Sequence, residues 1–82
     1  MTQREKLLER LRSNPKNVRF EEVDALLASY GFVVRQPRGG SSHYVYRRDR
    51  RIIIIARHKP FIHSKAVKEV LDAISEILET GA

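Results

Sequence analysis

Four consecutive isoleucines, Ile52 to Ile55, lie between Arg50-Arg51 and Ala56-Arg57, and they limit the fold more than any other segment. Branching at Cβ favours an extended backbone, and successive side chains of a strand point to opposite faces. Ile52 and Ile54 therefore face one way and Ile53 and Ile55 the other, so both faces of this strand are apolar. The run is far too short to span a bilayer. In a chain of 82 residues the helices have enough surface to cover one face of a small sheet. The second pair of isoleucines then has two fates: it is exposed or covered by a second chain, or it is enclosed by helices that reach both sides. Both stay open at this level.

The remaining elements follow from periodicity. Leu7, Leu8 and Leu11 share a helical face within Arg4 to Arg12, and Ser13-Asn14-Pro15 ends that pattern with turn chemistry. Phe20, Val23, Leu26, Leu27 and Tyr30 predict a second helix over about residues 20–30, with Glu21, Glu22 and Asp24 near its positive end and Gly31 as its stop. Phe32 to Arg35 is rich in strand formers and leads into the turn Pro37-Arg38-Gly39-Gly40. His43 to Tyr46 follows as a second strand, and Arg48-Asp49-Arg50 reverses the chain into the isoleucines. From Ser64, the residues Val67, Val70, Leu71, Ile74, Ile77 and Leu78 form the stripe of a final helix, with Thr80-Gly81-Ala82 as a frayed end. The expectation is one α+β domain over 1–82 in the order α-α-β-β-β-α. Its three-stranded antiparallel sheet carries helices on one face, with residues 1–15 as a helical extension of a core at 18–78.

Charge is segregated along this chain. The total is +6, from 16 Lys and Arg against 10 Asp and Glu, yet residues 35–68 hold ten of the basic side chains and a single acid, Asp49. Residues 69–82 hold four acids and no base. A basic stretch of this kind is the footprint of a nucleic-acid backbone, whereas charges scattered for solubility would be interspersed. The absence of cysteine excludes disulfides, thiol catalysis and thiolate metal sites. No signal-peptide pattern opens the chain, which is read as cytoplasmic with no membrane partner.

Within the basic stretch, Gly39-Gly40-Ser41-Ser42-His43-Tyr44-Val45-Tyr46 places a histidine at the start of a strand, directly after a glycine turn. Glycine permits close approach of a ribose or phosphate, and imidazole is the side chain whose unperturbed pKa lies nearest neutrality. A lone strand histidine is ordinarily a half-buried residue satisfied by backbone contacts; the turn and the surrounding arginines favour a site instead. Tyr44 and Tyr46 alternate with His43 and so belong to the opposite face, as core residues.

Several of these residues carry a resemblance. The helix ending in Tyr30-Gly31-Phe32, the strand into Arg35-Gln36, the segment Gly40-Ser41-Ser42-His43-Tyr44-Val45-Tyr46, and Ala56-Arg57-His58 are together similar to the HicA family of small toxins from type II toxin–antitoxin systems. The likeness spans about residues 18–78. Ser41 and Ser42 both stand where the family's commonest form has one serine, and Ala56 stands where many members have proline. The resemblance implies a fold like a double-stranded RNA-binding domain, metal-independent cleavage of messenger RNA, and neutralisation by a HicB-type antitoxin. It makes His43 the catalytic candidate.

The chemistry is consistent with that implication. Attack of a ribose 2′-hydroxyl on the adjacent phosphate needs a proton acceptor, a proton donor for the leaving oxygen, and positive charge beside the developing phosphorane. His43 supplies a proton carrier. Arg35, Arg38, Arg47, Arg57 and Lys59 supply charge, and Gly40, Ser41 and Ser42 can hydrogen-bond a phosphate or the 2′-hydroxyl. His58 is an auxiliary proton carrier if the third strand ends beside the start of the second; otherwise it is a surface residue. Lys65 and Lys68, in the first turns of the last helix, are phosphate candidates or simply a solvated face. The spacing of His43, His58 and His63 does not resemble a zinc site, so no metal and no cofactor is expected. The alternatives to a nuclease are a non-catalytic RNA-binding module and an adaptor for an acidic protein. The expected assembly is a homodimer or a toxin–antitoxin hetero-oligomer.

Overall fold

The computed structural model describes residues 2–36 and 42–80. Its elements are α1 (Gln3–Ser13), α2 (Phe20–Ser29), β1 (Val33–Arg35), β2 (His43–Arg48), β3 (Arg51–Ala56) and α3 (Ser64–Thr80). The order agrees with that expected from the sequence. Strands β2 and β3 run longer than the expected His43–Tyr46 and Ile52–Ile55. Helix α3 continues through Thr80, which is a helical residue and not a frayed end: its hydroxyl donates to the Glu76 carbonyl at 3.0 Å.

Local chemistry accounts for the element ends. The Thr2 hydroxyl accepts from the Glu5 N–H at 3.1 Å and caps α1. At the start of α2 the Glu22 carboxylate accepts from the Arg19 N–H at 3.1 Å and pairs with Arg10 at 2.9 Å, linking α2 to α1. Helix α2 ends in a Schellman motif, with Gly31 N–H donating to Ala28 and Phe32 N–H to Leu27. The φ of +87° at Gly31 is one that a side chain would resist. Between β2 and β3 the two-residue turn Asp49-Arg50 puts Asp49 at φ +53°, a left-handed conformation that Asp tolerates better than most residues.

The strands form one antiparallel sheet in the order β1-β2-β3, with Val34, Tyr46 and Ile53 in one row across it. A single buried cluster joins Leu8 and Leu11 of α1, Val23, Leu26 and Leu27 of α2, Tyr46, Ile53 and Ile55 of the sheet, and Val67, Val70, Ile74 and Ile77 of α3. All three helices therefore lie on one side of the sheet. The N-terminal helix expected as an extension contributes two leucines to the common core, and Arg12 reaches Ser75 of α3 at 3.3 Å. Tyr46 shows how the covered face is held: its ring is buried and its hydroxyl donates to the Asp24 carboxylate at 2.7 Å. Burial, then the carboxylate, pushes the Tyr46 pKa far above its ordinary value.

Candidate nucleic-acid interface

The isoleucine run resolves into two environments. Ile53 and Ile55 are buried, while Ile52 and Ile54 remain 59% and 56% exposed. The helices therefore do not reach both sides. Directly paired residues share a face, so the register composes the outer surface in rows: Val33, Arg47 and Ile52, then Arg35, Val45 and Ile54, then His43 with Ala56 at the end. Val33 is 72% exposed. The outer face is thus an aliphatic strip flanked by two arginines, with one imidazole at its edge.

Spacing sorts these residues by the work they can do. A strand advances about 3.4 Å per residue, so the row of Arg35 lies about 7 Å from His43 and that of Arg47 about 14 Å. Arg35 is close enough for its long side chain to approach a group held at the imidazole, whereas Arg47 can act only on a phosphate farther along a bound strand. The Arg47 Nε donates to the Asp49 carbonyl at 3.3 Å, which orients its guanidinium along the hairpin end. Opposite His43 stands Ala56, the smallest side chain of the outer rows. The Arg57 N–H donates to the Ser42 carbonyl at 2.8 Å and extends the pairing of β2 and β3 one step past His43. The start of β2, and with it the backbone that carries the imidazole, is therefore anchored.

Other residues singled out in the sequence lie elsewhere. Arg57 turns to the helical side, where its guanidinium sits 5.0 Å from the Phe20 ring centroid and 3.3 Å from the Glu21 carboxylate. A hydrogen bond with Tyr44, opposed by desolvation and aided by Glu21, raises the Arg57 pKa, so its charge is permanent. Glu21 is lowered first by its own backbone N–H and then, against some desolvation, by Arg57. The structure brings the end of β3 next to the start of β2, as a role for His58 requires. The His58 ring nevertheless packs edge-on against His63, with centroids 4.6 Å apart. Lys59 is exposed in the loop before α3, and Lys65 and Lys68 are exposed on the first turns of α3, within the helical layer. Arg38, Gly40 and Ser41 lie outside the described residues.

Tyr44 packs at 4.7 Å on Phe20 and Tyr46 is buried, as expected for the face opposite His43. Sequence reading left one pair of the isoleucines open as an exposed or partner-covered patch, but it did not single out Val33 and Val45 as residues of the same surface. The alternation that makes Tyr44 and Tyr46 inward residues contains that information, since it sends Val45 outward with His43. The pairing of Arg57 with Glu21 had no local signal, because 36 positions separate the two. No helix among the described residues is long and apolar enough to cross a membrane. Comparison with known proteins finds no family model, no curated protein and no solved structure that matches this chain.

Proposed function

We propose that this protein is a metal-independent endoribonuclease acting on messenger RNA in the cytoplasm, with His43 as its proton carrier. The observation that carries the reading is the composition of the outer sheet face. His43, Arg35 and Arg47 lie on the one side of the sheet that no helix covers, around an aliphatic strip. RNA is bound there through phosphates on the arginines and base faces on Val45 and Ile54, and the 2′-hydroxyl beside the scissile phosphate lies against the imidazole. The motif likeness to HicA toxins supports the same assignment.

The exposed Val33, Ile52 and Ile54 also favour a protein occupant of this face, a HicB-type antitoxin that excludes RNA by covering it. Catalysis and neutralisation then compete for one surface, as a homodimer through this face would also do. The test is cleavage of RNA in the presence of a chelator by the wild-type protein and by His43→Ala. Loss of about 10²–10⁴-fold in rate with RNA affinity and fold retained is expected. Cleavage unchanged by the substitution would remove His43 from the mechanism, and RNA binding without cleavage by the wild type would leave a non-catalytic RNA-binding module.

A further inference from the structure

A second group of cations lies around the corner from the outer face. The segment before α2 and the segment before α3 are joined by the Ile62 N–H donating to the Val18 carbonyl at 2.9 Å. Beside that junction the exit of β3 and the start of α2 form a cleft lined by Arg19, Phe20, Glu21, Arg57, His58, Lys59 and Pro60. Three basic side chains and an imidazole face it, against one carboxylate. Arg57 is held in place on two sides: its guanidinium lies 5.0 Å over the Phe20 ring centroid and pairs with Glu21. Such a guanidinium is suited to bidentate contact with a phosphate.

Glu21 occupies that guanidinium at 3.3 Å in an exposed ion pair, with the two side chains 38% and 66% accessible. Exposed pairs of this kind are weak, and a phosphodiester can replace the carboxylate at little cost. The cleft adjoins the His43 end of the sheet, because Arg57 pairs through its N–H with Ser42, the residue before His43. An RNA chain that crosses the end of β2 and β3 can therefore present one phosphate to the outer face and another to the cleft.

We propose that this cleft is a phosphodiester subsite of the bound RNA, and that Glu21 is an internal carboxylate that holds Arg57 until RNA displaces it. The inference rests on the RNA reading of the outer face and adds to it a path for the strand, over the end of β2 and β3, and a residue that weakens binding. Glu21 is therefore an antagonist of RNA and not a contact.

The experiment measures binding of a fluorescein-labelled single-stranded RNA oligonucleotide by anisotropy over a series of salt concentrations. It uses full-length protein carrying His43→Ala so that the probe stays intact. Adding Glu21→Gln is expected to tighten binding about fivefold. Adding Lys59→Ala or Arg19→Ala is expected to weaken it and to reduce the slope of log K against log salt by about 0.7. Because the three side chains are exposed, thermal midpoints close to the parent's are expected. If Arg35→Ala weakens binding while Glu21→Gln, Lys59→Ala and Arg19→Ala leave it unchanged, the subsite is overturned and the outer-face reading stands. If none of the four substitutions alters binding, the RNA reading itself fails and the subsite with it.

Discussion

The two faces of the sheet are made by the same three strands and do opposite things. On the covered face Tyr46, Ile53 and Ile55 are buried among helices, and the Tyr46 hydroxyl is tied to Asp24. On the open face, one residue away along each strand, Ile52, Ile54, Val33, Arg35, Arg47 and His43 meet solvent. Removing apolar surface from water stabilises a fold, while surface left in water contributes little to stability and stays available for a partner. The contrast separates residues that hold the domain together from residues that have no structural reason to be apolar or basic. It also explains why an isoleucine run can serve both ends at once.

Substitutions in neighbouring positions of β3 should break this comparison if it is wrong. Ile55→Ala on the covered face is expected to cost about 2–5 kcal/mol, measured by denaturant unfolding. For Tyr46→Phe, which strands the Asp24 carboxylate, the expected loss is about 1.5–3 kcal/mol. The same tyrosine sets an alkaline limit. Its folded-state pKa is raised above the ordinary 10.0, so its contribution is fully present below that value and is lost as pH rises through and beyond it. Unfolding midpoints followed from pH 8 upward, on the order of two units past the ordinary tyrosine value, should fall less steeply for Tyr46→Phe than for the wild type. On the open face, Arg35→Ala with Arg47→Ala is expected to leave stability unchanged. The same double substitution should lower the salt slope of RNA binding by about 1.4, two phosphate contacts at ~0.7 each. The smallest effect is reserved for Ile54→Ala, within about 0.5 kcal/mol of the wild type in stability; a loss comparable to that of Ile55→Ala would mean the two faces are not distinct.

Much of the fold was legible because local signals and tertiary packing agree. Gly31 had to follow a helix, Asp49 had to lie in a tight turn, and the Val67 to Leu78 stripe had to lie on something apolar. Thr80 was misread because small polar residues near a terminus look like a frayed end, while its hydroxyl in fact bonds back into the helix. In the candidate site, the step from His43 to Tyr44 and from Val45 to Tyr46 was readable from strand alternation alone. What sequence could not resolve was the outer row. Whether Ile52 and Ile54 are covered depends on where three helices pack, and Arg57 belongs to the helical side only because Phe20 and Glu21 of α2 are placed against it.

The central claim is that RNA binds on the open face and leaves the buried isoleucines in place, and the isoleucine methyl groups report on both faces of the sheet. Titrating His43→Ala protein, carbon-13-labelled at isoleucine δ-methyls, with an RNA oligonucleotide should shift the resonances of Ile52 and Ile54 and leave those of Ile53 and Ile55 in place. Shifts confined to Ile53 and Ile55, or no shift at any of the four under saturating RNA, would contradict it.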